Sequence, residues 1–278
     1  MLLDIQSLCK IYGPSCGQCL DLTGDDHGRS ICPRCQAVVA VNRVNLQIGE
    51  DEVLGIVGES GSGKSTLLQL VYRDIEATSG KVFFRDMTNG CGVPVNILEL
   101  SLLETTRMRS ELMSMIYQNP RLGLNFLFSA GGNIAEKIIG SGELRYETIR
   151  SQALHFIDKI ELPISRIDEY PETFSGGQQQ RIQIAKALSS SPRLLLLDEP
   201  TTGLDVSVQA RILDMIKKLQ QEMGFSMIVV SHDLGIIRHL TDITVVMRHG
   251  SIVEYGLTDQ ILEDPQHGYT QLLVSSIL

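Results

Sequence analysis

Apolar residues along the chain alternate between two periods, and that alternation sets out the elements. Residues 2–8 (LLDIQSL) and 37–48 (AVVAVNRVNLQI) are aliphatic with partial alternation and predict strands. Residues 53–57 (VLGIV) are a short buried strand running into GESGSGKST, after which TLLQLVYRDI has helical spacing. The continuous apolar runs at 194–197 (LLLL) and 226–230 (SMIVV) suit strands covered on both faces in a parallel sheet. Helical spacing covers about 99–113, 133–162 with a break near Gly140 and Gly142, 206–222 and 233–240. The region from about 100 to 190 therefore reads as a helical lobe. The chain closes with short strands at about 243–254, a helix at 258–262 and another over the last nine residues. No internal repeat or low-complexity tract interrupts the pattern.

Composition narrows the class. With 278 residues, 43% of them hydrophobic, the chain can bury a large core as one domain or two closely packed lobes. Lys+Arg at 24 against Asp+Glu at 33 gives −9, the wrong sign for wrapping nucleic acid through its phosphates, although a local basic patch stays open. No apolar run approaches the ~20 residues of a membrane span, and no charged segment followed by an apolar one opens the chain. The expectation is a cytoplasmic protein that touches a membrane only through partners.

Three stretches carry chemistry. Gly58-Glu59-Ser60-Gly61-Ser62-Gly63-Lys64-Ser65 satisfies G-x-x-x-x-G-K-[ST], with Thr66 following. Its glycines let backbone N–H groups surround a phosphate at the positive end of a helix, Lys64 adds a cation, and the Ser65 hydroxyl can ligate Mg²⁺. An ordinary glycine turn is the alternative, and the preceding strand weighs against it. Asp198 and Glu199, after LLLL, can supply one carboxylate to the Mg²⁺ shell and one to polarise a water; alone, such a pair is commonly a solvated strand end. Ser175-Gly176-Gly177-Gln178 precedes the helical run IQIAKALS and forms either a second anion-binding helix start or a plain capped helix.

In this order, GESGSGKST, FSGGQQQR and LLLLDEP resemble the motifs of ATP-binding cassette (ABC) ATPases, over essentially all of the chain except residues 16–35. The resemblance implies an α/β fold: one cassette domain over 1–278 with a RecA-like core, an antiparallel β subdomain and a helical subdomain. It implies ATP with Mg²⁺ as cofactors. Gln118 of MSMIYQNP matches the glutamine that approaches Mg²⁺ and water, and His232 of VVSHD the histidine at the γ-phosphate. Asp205 of TTGLDVSVQ matches the aspartate crossing the dimer interface, and Tyr12 of CKIYGP the aromatic stacked on adenine. It also implies a homodimer or other cassette dimer, in which Ser175, Gly176, Gly177 and Gln178 of one chain close the site of the other.

Within the family, DVSVQARIL and DPQHGYTQLLVSSIL are similar to peptide and nickel importer ATPases and to the ATP-binding subunit of the carbon-phosphorus lyase system of phosphonate degradation. FSAGGNIAEKIIGSGELRYETIR and Phe174 before the signature resemble the lyase subunit, and importer ATPases usually continue past the equivalent of Leu278. The lyase resemblance implies a soluble lyase core complex as partner, and the importer alternative implies membrane permease subunits. Neither implies nucleic acid, since repair and RNA-associated cassettes generally carry coiled-coil insertions, tandem cassettes or basic surfaces.

Six cysteines remain. Without a secretion signal, reduced thiols or metal ligands fit better than a disulfide framework. Cys16, Cys19, Cys32 and Cys35 have the C-x2-C-x12-C-x2-C spacing of a closed four-thiolate zinc site in an insertion of about twenty residues. Gly24, Asp25 and Asp26 suit a tight reversal between the pairs, and His27 reads as a loop residue. Iron in the same site, or free thiols or disulfides in a flexible loop, are the alternatives. Cys9 and Cys91 lack paired spacing and read as small buried or surface residues.

Overall fold

A computed structural model describes residues 1–85 and 92–276. Cys91 lies outside the described residues. The chain divides into two compact units, Met1–Ser101 with Ile228–Leu278, and Leu102–Met227. Its strands are β1 (Leu3–Tyr12), β2 (Val38–Ile48), β3 (Val53–Val57), β4 (Ser79–Arg85), β5 (Pro94–Asn96), β6 (Met113–Ile116), β7 (Leu194–Asp198), β8 (Ser226–Val230), β9 (Ile243–Arg248) and β10 (Ser251–Leu257). Its helices are α1 (Lys64–Val71), α2 (Leu102–Glu111), α3 (Pro120–Gly123), α4 (Ala130–Gly140), α5 (Tyr146–Lys159), α6 (Gly176–Leu188), α7 (Val206–Met223), α8 (Leu234–Leu240), α9 (Thr258–Glu263) and α10 (Gly268–Ser275).

In the first unit, β2-β1-β4-β5 form an antiparallel sheet. β1 runs past the strand read at 2–8. The left-handed backbone of Ser7 (φ 47°) shifts the register between Ile5 and Leu8, so alternation breaks where hydrogen bonding continues. Asn45 Oδ1 accepts the Ser7 amide at 2.8 Å, satisfying a donor the bulge takes out of the ladder. The second sheet of this unit is mixed: β3 pairs parallel with β9, and β9 antiparallel with β10. All five residues of β3 are buried, as its unbroken apolar run requires.

In the second unit, β6 and β7 pair in parallel, Met113 opposite Leu194. β6 falls at the end of the segment read as helix at 99–113. Four residues, MSMI, are too few to show a period, and only the partner strand distinguishes them from a buried helical turn. The break in the helical stretch is real: α4 ends at Gly140, Gly142 takes φ 100°, and α5 begins at Tyr146. Ser129 caps α4 through the Gly132 amide at 3.1 Å. Beneath it the fully buried Asn133 accepts from the Asn125 amide at 2.7 Å and donates to the Asn125, Phe128 and Ser129 carbonyls, so every polar atom it buries is matched.

Candidate nucleotide site and cysteine cluster

β3 delivers the chain into the loop 58–63, and α1 carries it away. Gly63, the residue before α1, has φ 104°, and a Cβ there would lie inside contact distance of the Ala40 carbonyl oxygen, so glycine is required twice over. Lys64 is 5% exposed. Its ammonium donates to the Gly58 carbonyl at 2.7 Å and the Glu59 carbonyl at 2.8 Å, at the amino end of α1. A buried cation, a helix start and a glycine turn converge there, which is the donor set a phosphate needs. Ser65 and Thr66 occupy the first turn of α1, while Glu59, Ser60 and Gly61 face solvent and Ser62 is buried. His232 follows Ser231, whose amide donates to Ile56 O of β3 at 3.1 Å. His232 is exposed, and Asp233 beside it caps α8 through the Gly235 amide at 2.8 Å. Tyr12 ends β1, exposed, with Lys10 Nζ 4.9 Å from its ring centroid.

The carboxylates belong to the second unit. Asp198 closes β7 and is 7% exposed. Glu199 turns into the left-handed region at φ 47°, a conformation that costs a non-glycine residue about 1–2 kcal/mol. Such strain persists where the surroundings over-determine it. Here the Glu199 carboxylate accepts from the Thr202 hydroxyl at 2.8 Å and from Gln118 Nε2 at 3.4 Å. Gln118 is thus brought to Glu199. The preceding Tyr117 is clamped by Gln183, which accepts its amide at 3.3 Å and donates to its carbonyl at 3.0 Å. Sequence reading missed Gln183; a glutamine on the apolar face of IQIAKAL was the available signal.

At the signature, Ser175 and Gln178 form a reciprocal capping box: Gln178 Oε1 accepts the Ser175 amide at 3.1 Å and Ser175 Oγ the Gln178 amide at 3.4 Å. A capped helix and an exposed anion-ready helix start coexist, because Ser175 and Gly176 face solvent. Gly177 is buried, and a Cβ on it would stand 2.5 Å from Val208 Cγ1, so α6 approaches α7 at a distance only glycine permits. Asp205 precedes α7, exposed.

The cysteine spacing resolves into a cluster. Sγ atoms of Cys16, Cys19, Cys32 and Cys35 all lie within 4.8 Å of one another. Cys16 to Cys19 and Cys16 to Cys32 are each 3.7 Å, and Cys19 to Cys35 is 3.4 Å. A tetrahedron with metal–sulfur bonds of ~2.3 Å has edges of ~3.8 Å, so the donor set fits a tetrahedral thiolate metal. Gly24 (φ 108°) and the turn Asp25–His27 make the reversal between the pairs, with the Gly24 amide donating to Arg29 O at 2.8 Å. The Ser15 hydroxyl pulls Cys19 down to about 6. At Cys16 the Gln18 amide works downward, but desolvation and the neighbouring thiols outweigh it and carry the group up to about 11. Four sulfurs this close cannot all ionise without a cation, whereas metal binding requires them all deprotonated. Cys9 is buried outside the cluster.

Residues 41–202 match the ABC transporter family model. The chain belongs to the ABC transporter family. It is therefore an ATP hydrolase of the ABC type, with the α/β fold of these cassettes. It is 44% identical over 235 residues to the phosphonates utilization ATP-binding protein PhnK of Escherichia coli (strain K12), covering 84% of this chain and 90% of that protein. It is 39% identical to the glutathione import ATP-binding protein GsiA of Salmonella choleraesuis (strain SC-B67), over 87% of this chain and 40% of GsiA. Among solved structures, the dimeric post-hydrolysis state of the ATP-binding cassette MJ0796 bound to ADP and Pi has a TM-score of 0.76 and 27% identity, covering 92% of this ABC chain and 99% of that one. No helix among the described residues is long and apolar enough to cross a membrane.

Proposed function

We propose that this ABC ATPase drives a soluble carbon-phosphorus lyase complex in phosphonate catabolism. The observation that supports the reading is the likeness to PhnK, which covers 84% of this chain and 90% of PhnK at 44% identity, against 40% of GsiA at 39%. In this reading the ATPase does not break the carbon-phosphorus bond; ATP closes a cassette dimer, hydrolysis reopens it, and the movement remodels the docked complex in the cytoplasm. Lys64 and the amides of residues 58–66 hold the phosphates, Tyr12 stacks on adenine, and Ser65, Asp198 and Gln118 serve Mg²⁺. Glu199 polarises the attacking water, His232 contacts the γ-phosphate, and Asp205 with the partner's signature completes the site. The four cysteines hold one Zn²⁺, whose closed thiolate shell leaves no position for substrate water, so its role is structural.

Likeness to GsiA supports a second reading, an importer ATPase bound to permeases. Affinity capture from cells growing on a phosphonate as phosphorus source separates the two. Soluble phosphonate-degrading subunits are expected, and recovery of permeases alone would replace the first reading by the second.

The Gln183 clamp makes a further expectation. Gln183→Leu removes both side-chain bonds to the Tyr117 backbone, at a cost of about 1–3 kcal/mol in a denaturant melt. Because it frees the segment carrying Gln118, ATP turnover should fall by about tenfold or more. Turnover equal to wild type would remove Gln118 from the machinery or Gln183 from its support.

A further inference from the structure

Resting on the metal reading above, we infer that Asp25, Arg248 and Tyr269 are positioning residues that join the cysteine-bearing insertion to the phosphate loop, so that the loaded insertion sets nucleotide affinity. The path begins at the reversal between the two cysteine pairs. Asp25 Oδ1 accepts from Arg248 Nη1 at 3.1 Å, and Asp25 Oδ2 lies 3.2 Å from His267 Nε2. The Arg248 guanidinium lies over the Tyr269 ring, 4.7 Å from its centroid. Tyr269 is buried, and its hydroxyl oxygen accepts the Glu59 amide at 2.9 Å.

That last bond matters because of the peptide it holds. The Glu59 N–H and the Gly58 carbonyl belong to one planar unit. Its N–H edge is pinned by Tyr269, and its carbonyl edge accepts the Lys64 ammonium at 2.7 Å. Rotating the unit would move both a loop amide and the resting partner of the phosphate-facing lysine. Tyr269 therefore acts on phosphate through this peptide.

A second path runs in parallel. The Thr23 hydroxyl donates to the carbonyl of Cys19 at 2.8 Å, and Asn42 Nδ2 donates to the Leu20 and Thr23 carbonyls at 3.0 and 3.1 Å. The Asn42 amide donates to Gly250 O at 2.8 Å, and the Gly250 amide to Ser62 O at 3.0 Å. The insertion thus reaches the phosphate loop at Glu59 and at Ser62. Its core is small, Cys19, Cys32, Ala37 and Val39 edged by the partly buried Ile11, Leu20, Leu22 and Cys35, and three of these are cysteines of the cluster, so a bound metal adds a main constraint on the segment that carries Thr23 and Asp25.

The test uses the full chain, with ADP as probe, and metal content and thermal midpoint recorded on each sample. Tyr269→Phe keeps the ring under Arg248 and removes the acceptor; ADP affinity should fall about fivefold and KM for ATP rise alike, with kcat within about twofold of wild type. Asp25→Asn should weaken binding in the same direction, and the double variant should be no worse than Tyr269→Phe alone, because both interrupt one path. Stripping metal from wild type should weaken ADP binding by at least a similar factor, and in Tyr269→Phe it should cause only the smaller loss carried by the remaining path through Thr23, Asn42 and Gly250. Wild-type ADP affinity in Tyr269→Phe, or a kcat loss at constant KM, would overturn the positioning role; should that variant not fold, the partly exposed Asp25→Asn decides it in the same way. Metal-containing wild type whose affinity ignores stripping while its fold persists would overturn the link to the cluster. Protein that is metal-free as prepared would sink the metal reading itself, and the Tyr269→Phe comparison would still decide whether the loop is held.

Discussion

Lys64→Ala is expected to lower ATP turnover by about 10²–10³-fold, the usual loss when one preorganised donor to a developing negative charge is removed. Lys64 is nearly inaccessible, and its ammonium is held by two backbone carbonyls at the start of α1. A cation in so dry a place acts on phosphate with little screening, and nothing else described in the loop carries a positive charge. Alanine is a good helix former, so α1 should persist and the thermal midpoint should stay near wild type. Steady-state phosphate release checks the first expectation and a thermal melt the second; turnover within threefold of wild type would show that the loop is not the phosphate site.

The same variant tests the composite site. In the proposed cassette dimer, mixing a Lys64→Ala chain with a Ser175→Arg chain gives heterodimers in which one site carries both lesions and the other neither. Activity above that of either variant alone is expected. Ser175 is exposed at a helix start whose partner in its own unit is the Gln178 side chain, so an arginine there should block docking without breaking a core.

Cys32→Ser is expected to abolish metal binding and unfold the insertion while the sheets remain. Cys32 is wholly buried and its sulfur lies 3.7 Å from Cys16 Sγ. Serine oxygen is a poor ligand for a soft thiolate-preferring metal, and three remaining sulfurs leave the tetrahedron open. Metal-driven folding of small thiolate sites is worth about 10–16 kcal/mol in apparent terms, a large contribution for a segment whose core is Cys19, Cys32, Ala37 and Val39 edged by Ile11, Leu20, Leu22 and Cys35. Elemental analysis should fall from about one metal equivalent to near zero. Hydrogen exchange over residues 14–36 should become fast while β3 and β9 stay protected. Retained metal, or unchanged protection across 14–36, would refute the four-thiolate site.

The candidate motifs were legible because they are local. The phosphate loop, the acid pair after LLLL and the Ser175 cap each lie within about nine residues, where spacing alone sets backbone geometry. Strands with unbroken apolar runs were legible for the same reason, and β3, β7 and β8 lie where their runs are. Local reading failed at β6, four residues without a period, and past Ser7 in β1, where a bulge breaks alternation but not pairing. It also passed over β4 and β5, which complete the antiparallel sheet through partners distant in sequence.

By itself the sequence determined which residues carry charge and sulfur, and that glycines cluster at 58–63 between an apolar run and a stretch of helical spacing. Only the tertiary structure decided what holds them. The Glu59 amide meets a hydroxyl 210 positions away, Arg248 meets a carboxylate 223 positions away, and Gln183 clamps a residue 66 positions before it. Such contacts are made by sheets and helices that pack after the chain has closed long loops, and the free energy that selects them comes from burial, not from spacing. CGQCLDLTGDDHGRSICPRC sets out two pairs of thiols by its spacing; that the pairs meet in one cluster, and that the reversal between them meets Arg248, are properties of the fold.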